Sequence, residues 1–100
     1  MSFFSDLFNT TPSQASLKKM LENGAILLDV RSRAEFEEGH AEGSENIPLD
    51  ELDKAFSKFD KDQTFVVVCA SGIRSRDAVS RFKKQNYMNV YNGNSWSNFI

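Results

Sequence analysis

One run of five residues constrains the fold of this chain more than any other feature of the sequence. Phe65-Val-Val-Val-Cys69 is the most apolar and most β-branched stretch, and no polar residue interrupts it. Such a run is typical of a strand that is covered on both faces, as in a parallel sheet, because a half-exposed strand would alternate apolar and polar residues. It therefore predicts an α/β protein with this segment as the central strand.

The remaining segments alternate between strand and helix patterns. Residues 25–30 form a second, nearly continuous apolar run and predict another core strand, 46–48 predict an edge segment, and 89–91 predict a short last strand. Apolar spacing and capping residues predict helices over 11–23, with Thr11 as N-cap, over 32–38, 49–59 and 75–86, and a closing turn over 96–100. This order predicts a mostly parallel central sheet flanked by helices on both faces.

Length and composition predict one folded domain. A chain of 100 residues is too short to divide into two units with separate cores, and its 40% hydrophobic residues suffice for one core. We assign residues 11–100 to this domain and residues 1–10 to an N-terminal Phe-rich segment. Phe3, Phe4, Leu7 and Phe8 in that segment form a helical stripe, which we expect to pack against the domain.

Charge and composition exclude several classes of function. A formal net charge of -2 argues against a nucleic-acid binder or a binder of acidic membranes. We find no signal-peptide pattern and no apolar run long enough to span a membrane, so we expect a soluble, cytoplasmic protein. With one Cys and one His the chain can form neither an internal disulfide nor a structural zinc site by itself, and we expect no cofactor or metal.

The segment after the central strand, residues 69–75, is the candidate functional site and is called the Cys69 loop below. It lies at the carboxyl end of a strand, where open α/β sheets bind their ligands, and a helix is predicted to follow it. Backbone N–H groups and the positive end of a helix dipole favour thiolate over thiol, so we expect Cys69 to be a nucleophile with a lowered pKa. The alternative is a Cys that only fills the core at the end of a strand.

Other residues of the loop fit an anion or a thiolate. Gly72 lets successive N–H groups turn inward, and the small residues Ala70 and Ser71 leave room for a guest. Arg74 is a cation in the first turn of the predicted helix, which is unfavourable unless a negative charge lies beside it. We therefore predict a substrate-binding loop made of Ala70, Ser71, Gly72, Ile73, Arg74 and Ser75.

Several short motifs follow one another in the order found in a known family. They are Leu27-Leu-Asp-Val-Arg31, Glu35-Phe36, Gly39-His40, Gly43, Asn46-Ile-Pro48, the Cys69 loop and Tyr91-Asn-Gly93 with Trp96. On these motifs the chain resembles the single-domain rhodanese-like sulfurtransferases. The resemblance implies the three-layer rhodanese-like fold, and it implies that Cys69 accepts a sulfane sulfur from a donor such as thiosulfate as a persulfide. A thiol, cyanide or a protein would then accept this sulfur.

Two alternatives to a sulfurtransferase remain open at this point. The first is a non-catalytic module that binds an anion or a protein partner through the same loop. The second is a phosphatase or arsenate reductase, since relatives of those kinds resemble the same unit but have seven residues from Cys to Arg. Here the count from Cys69 to Arg74 is six, which favours the sulfurtransferase. Ala70 also stands where many thiosulfate-using relatives have a basic residue, so thiosulfate is expected to be a poor donor.

Outside the loop, Asp29 and Arg31 are the predicted supporting residues, and Glu35 and His40 are further candidates. Asp29 ends the first core strand, where it could hold the arginine of the loop or cap the next turn. Arg31 and Glu35 are spaced as an exposed i, i+4 pair, which is expected to stabilise the scaffold weakly. His40 is the one imidazole and could in principle activate a thiol, but it follows Gly39 in a predicted turn, so we expect a structural role.

Overall fold

A computed structural model describes residues 12–100 of the chain. The predicted segment 1–10 and the predicted cap Thr11 lie outside these residues. The part of the chain that the structure describes contains one four-stranded sheet, whose strands are β1 (Ile26–Asp29), β2 (Glu45–Asn46), β3 (Phe65–Cys69) and β4 (Val90–Ser95). The strand order is β2-β1-β3-β4, and every pairing is parallel. The prediction of a central strand is confirmed, because β3 lies between β1 and β4 and all five of its residues are buried.

Helices cover both faces of the sheet, as predicted. The α-helices are α1 (Gln14–Glu22), α2 (Arg33–Glu38), α3 (Leu52–Ala55) and α4 (Ile73–Lys84), and 3-10 turns occupy Leu49–Glu51, Phe56–Lys58 and Trp96–Phe99. Successive strand residues point to opposite faces, so β3 supplies two cores. Val67 packs with residues of α3 and α4, whereas Val66 and Val68 pack with Leu17 of α1 and with Trp96. The three-layer α/β architecture is therefore observed.

The helix predicted over 49–59 is wrong in its extent. This segment is a 3-10 turn, a single turn of α-helix and a second 3-10 turn. Its apolar spacing was a correct guide to burial, since Leu52 and Phe56 are buried. At the end of the segment the Phe59 N–H donates to the Phe56 carbonyl at 3.1 Å, and the Tyr87 hydroxyl contacts the carbonyl oxygens of Phe56 and Phe59 at 2.5 and 2.7 Å.

Two helix starts also differ from the prediction. Helix α1 begins at Gln14, with Ser13 as N-cap, because the Ser13 hydroxyl accepts a hydrogen bond from the Ser16 N–H at 3.1 Å. Ser and Thr are both good N-caps, so the residue types did not decide between two starts two positions apart. Helix α4 begins at Ile73 instead of Ser75, so Arg74 lies inside its first turn.

The last strand is longer than predicted and contains an irregularity. Val67 pairs with Asn92 but Val68 pairs with Asn94, so Gly93 is an extra residue in β4. A side chain on Gly93 would meet the methyl groups of Val66 and Val68 at 2.9 Å, which explains why glycine occupies this position. Asn94 has a φ of +66°, a left-handed conformation that Asn adopts more readily than most residues. Within residues 12–100, no helix has both the length and the apolar character needed to cross a membrane.

Candidate active site

Cys69 is the last residue of β3 and its side chain is fully buried. After it the chain turns at Gly72, whose φ of +101° requires glycine, and α4 begins at the next residue. This tight connection aims backbone N–H groups at the sulfur. The Gly72 N–H donates to Cys69 Sγ at 2.9 Å and the Ser75 N–H does so at 3.4 Å. The sulfur thus lies at the amino end of a 12-residue helix, whose dipole also favours negative charge.

Opposing effects determine the pKa of Cys69. Burial raises it, because a thiolate loses hydration inside the protein. Hydrogen bonds from the Ser75 hydroxyl and from the N–H groups of Ser75, Gly72 and Ser71 lower it, and together they outweigh burial. The pKa of Cys69 therefore lies below its ordinary value, which is the direction expected for a nucleophilic thiol.

Ser75 and Asn92 form a polar connection behind the sulfur. The Ser75 hydroxyl donates to Asn92 Oδ1 at 2.6 Å, and its oxygen lies 3.5 Å from Cys69 Sγ, within reach of the thiol proton. When the thiol ionises, the same hydroxyl can rotate and donate to the thiolate. Asn92 also donates from Nδ2 to the Gly72 carbonyl at 3.2 Å, so strand β4 holds the loop from the side.

Asn94 lies against the turn of the loop. A side chain on Gly72 would approach Asn94 Oδ1 to 2.7 Å. The Asn94 N–H donates to Asn92 Oδ1 at 2.8 Å, which fixes the orientation of that amide because a backbone N–H can act only as a donor. The loop is therefore packed against two asparagines of β4.

Arg74 contacts a carboxylate of another helix. Its guanidinium forms a two-point ion pair with Glu35 of α2, with Nη1 to Oε1 at 2.7 Å and Nη2 to Oε2 at 3.0 Å. The sequence predicted a negative charge beside Arg74, and the structure shows that the Glu35 carboxylate supplies it. Arg74 and the Ser32 backbone N–H lower the pKa of Glu35 to about 2, so this carboxylate is ionised at neutral pH.

The predicted exposed pair of Arg31 with Glu35 is wrong. Arg31 precedes α2 and is buried, and its guanidinium contacts the Asp29 carboxylate, with Nε to Oδ1 at 3.0 Å and Nη2 to Oδ2 at 2.8 Å. Asp29 also accepts the Arg31 N–H, so it closes the turn after β1 and does not hold the arginine of the loop. Arg31 in turn lies 4.5 Å from the centre of the Trp96 ring.

His40 has a local structural role in this arrangement. Its Nδ1 lies 2.7 Å from the Phe36 carbonyl oxygen, and its ring stacks on the Phe36 ring at 3.8 Å. In the described part of the chain the groups that contact Cys69 Sγ belong to Ser71, Gly72 and Ser75, and His40 is not among them. Residues 12–100 also contain no group of three or more His, Cys, Asp or Glu side chains placed to hold a metal ion.

Comparison with known proteins identifies the family. A family model described as a rhodanese-like domain matches residues 13–96. The chain belongs to the rhodanese-like family. A thiosulfate sulfurtransferase GlpE from Pseudomonas aeruginosa is 35% identical to it over 88 residues, which are 87% of this chain and 78% of that relative. A tRNA sulfurtransferase from Thermoplasma acidophilum is 31% identical over 86% of this chain. This rhodanese-like domain spans only 17% of that protein, and 36% of another relative, from Bacillus subtilis.

Solved structures confirm the fold. The human single-domain sulfurtransferase TSTD1 aligns with a TM-score of 0.76 and 30% identity, over 82% of this chain and 86% of that one. A rhodanese from E. coli, solved with anions, aligns with a TM-score of 0.70 and 27% identity, over 75% of this chain and 91% of that one. The predicted rhodanese-like architecture is thus confirmed.

Sequence reasoning overlooked three residues of the candidate site in this rhodanese-like domain. Glu35 was assigned to the wrong arginine, and neither Asn92 nor Asn94 was considered as a contact of the loop. Asn92 did stand in the family motif Tyr91-Asn-Gly93, and Asn94 follows that motif directly. These two signals in the sequence marked the positions but did not indicate their partners.

Proposed function

We propose that this protein is a sulfurtransferase that carries a sulfane sulfur as a persulfide on Cys69. The observation that carries the proposal is the convergence of N–H groups on Cys69 Sγ, with Gly72 N at 2.9 Å and Ser75 N at 3.4 Å. A thiolate is the attacking form in this chemistry, and these donors stabilise it. The relatives named as sulfurtransferases support the same assignment.

The reaction has two steps that exchange one sulfur. In the first, the Cys69 thiolate attacks the outer sulfur of the donor, the sulfur–sulfur bond of the donor breaks, and the rest of the donor leaves with the electron pair. In the second, a nucleophilic acceptor attacks the outer sulfur of the persulfide and releases Cys69 as the thiolate. The same N–H groups stabilise the negative charge of the persulfide, as they stabilise that of the thiolate.

Residues 70–75 are proposed as the substrate-binding loop. Ala70 and Ser71 are exposed beside the buried sulfur, whereas Gly72 and Ser75 are buried and donate to it. Because the Cys69 side chain has no exposed surface, a donor reaches the sulfur only when neighbouring atoms of the loop move. Asp29 and Arg31 are proposed as supporting residues that fix the end of β1 through their buried ion pair.

The acceptor is proposed to be a separate molecule. The sequence has a single Cys, so no second thiol of the chain can resolve the persulfide. A cellular thiol, cyanide in an assay, or another protein would take the sulfur, and the reaction chemistry itself calls for no cofactor. We place this activity in the cytoplasm, where thiols are kept reduced.

A sulfur-loading assay tests the proposed function. We expect the intact protein to gain the mass of one sulfur atom after treatment with a sulfur donor, and to lose it on addition of cyanide with formation of thiocyanate. The variant Cys69→Ser, which is close in size, should fold and gain no sulfur. Absence of loading with every donor would leave the loop as a binding module. Hydrolysis of an aryl phosphate without sulfur loading would indicate a phosphatase instead.

A further inference from the structure

The cation of the Cys69 loop is already paired. Arg74 is the one charged residue among residues 69–75, and both oxygens of the Glu35 carboxylate contact its guanidinium at 2.7 and 3.0 Å. Glu35 is itself fixed at the start of α2, because the Ser32 N–H donates to Oε1 at 3.0 Å and the Ser32 hydroxyl lies at the same distance. The carboxylate therefore holds Arg74 from a rigid capping box.

The other loop side chains next to the sulfur carry no charge. Ala70 and Ser71 are exposed, and Ile73 is 67% exposed, which makes it one of the few large apolar side chains on the surface of the described residues. The Gly72 and Ser75 N–H groups point at the sulfur itself. An incoming molecule therefore meets the apolar side chain of Ile73 and an Arg74 cation whose charge Glu35 already balances.

This arrangement discriminates between two classes of sulfur donor. Thiosulfate brings two negative charges and releases sulfite, so it needs a cation at the loop. An organic persulfide, R–S–SH, brings an organic group that can lie on Ile73, and it releases a thiolate with a single charge. The Cys69 thiolate would attack the outer sulfur, the donor S–S bond would break, and R–S⁻ would leave with the electron pair and take a proton from water.

Building on the proposed function, we infer that Glu35 is a specificity-determining residue. By holding Arg74 in a two-point ion pair, it makes the loop favour the persulfide of an organic thiol over thiosulfate. The organic group can belong to a small molecule or to a protein, and the two sources share the same S–SH group. Ile73 is expected to favour the reaction of a protein persulfide more than that of a small-molecule persulfide, because a peptide covers more of the exposed Ile73 surface.

The test compares donors in the full-length protein. Second-order rate constants for loading Cys69 are measured by intact mass with three probes: thiosulfate, cysteine persulfide and the persulfide of a short Cys-containing peptide. The wild type should react at least about tenfold faster with either persulfide than with thiosulfate, a difference of about 1.4 kcal/mol in activation free energy. Ile73→Ser should slow the peptide persulfide more than cysteine persulfide.

Two variants assign the selectivity to Glu35. Glu35→Gln keeps a residue that can complete the capping box but leaves the charge of Arg74 uncompensated, so the ratio of the thiosulfate rate to the cysteine persulfide rate should rise about tenfold. Glu37→Gln, an exposed residue of the same helix, removes the same charge and should change neither rate. The double variant of Glu35→Gln with Arg74→Gln should lose this increase in reactivity with thiosulfate. A gain retained there would assign it to another cation such as the exposed Arg76.

The outcomes separate this inference from the proposed function. If no probe loads Cys69 in any variant, the proposed function fails and the selectivity fails with it. If every probe loads Cys69 but thiosulfate equals the persulfides in the wild type, the inference alone is wrong. It is also wrong if Glu35→Gln and Glu37→Gln change the rates equally, because the effect is then one of net charge.

Discussion

Gly72 and Gly24 have almost the same backbone angle in very different surroundings. Their φ values are +101° and +103°, both in the left-handed region that favours glycine. A side chain on Gly24 would meet no atom within 4 Å, whereas one on Gly72 would approach Asn94 Oδ1 to 2.7 Å. The two glycines thus form a matched pair that separates backbone strain from disturbance of the loop.

We predict that Gly72→Ala and Gly24→Ala reduce stability similarly but differ in their effect on Cys69. Each should lower the free energy of unfolding by about 1–2 kcal/mol through backbone strain, measured by denaturant titration. Gly72→Ala should also displace Asn94 and the N–H that contacts the sulfur, so loading of Cys69 should be about tenfold slower. Equal loading rates in the two variants would show that the conformation of Gly72 does not matter for reactivity.

Local sequence signals predicted single residues better than their distant partners. The positions of Cys69, Gly72 and Arg74 at a strand end, in a turn and at a helix start were predicted from residues only a few positions away. The ion pair of Arg74 with Glu35 joins residues 39 positions apart, and the hydrogen bond of Ser75 with Asn92 joins residues 17 positions apart. Such pairs depend on how α2 and β4 lie against the loop, which spacing along one helix does not reveal.

At the scale of elements, α2 and α4 are joined by the ion pair of Glu35 and Arg74. The pKa of Glu35 in the folded protein is about 2, below its ordinary value of 4.5, so the unfolded chain binds the proton more readily. Stability from this carboxylate is therefore fully present above pH 4.5 and is lost as pH falls towards about 2. About a third of each side chain is exposed, so solvent screens the pair.

We predict that Glu35→Gln reduces the acid sensitivity of the fold. The variant should be less stable than the wild type by no more than about 1 kcal/mol at neutral pH, and this gap should close as pH falls from 4.5 to about 2. Chemical unfolding at a series of pH values measures this stability difference, with Glu37→Gln as the matched control. A gap that stays constant across this range would mean that the Glu35 charge contributes nothing to stability.

The start of α2 was predicted more accurately than the segment 49–59. The start of α2 followed from Ser32 and Glu35, which form the expected capping box. The segment 49–59 showed a helical spacing of apolar residues, yet it contains two 3-10 turns, and the Tyr87 hydroxyl contacts carbonyl groups at its end. Periodicity identifies the buried face of such a segment, but it does not reveal competing hydrogen bonds from elsewhere in the fold.

At the scale of the whole molecule, the fold class followed from two apolar runs and their connections. Strands that are buried on both faces and connected by helices are typical of a parallel sheet. The observed β2-β1-β3-β4 sheet is fully parallel. Parallel strands end at the same edge, so the carboxyl ends of β1 and β3 lie together with the amino ends of the helices that follow them, α2 and α4. The bulge at Gly93 was not predicted, because it depends on the close approach of β4 to Val66 and Val68.

The electrostatic state of Cys69 is a property of this whole assembly. The groups around the sulfur come from the loop and from α4, and strand β4 holds them through Asn92. An isolated peptide of the same sequence would not bring these groups together. The shift in the pKa of Cys69 should therefore vanish when the protein unfolds.

A titration of the single Cys by the ultraviolet absorbance of its thiolate tests this central claim directly. The difference between wild type and Cys69→Ser isolates one thiol, and the measurement needs no reagent to enter the buried site. We predict a midpoint below the free value of about 8.5 in the folded protein, a higher midpoint in Ser75→Ala, and a return to about 8.5 in denaturant. A folded midpoint at or above that of the unfolded chain would contradict the account.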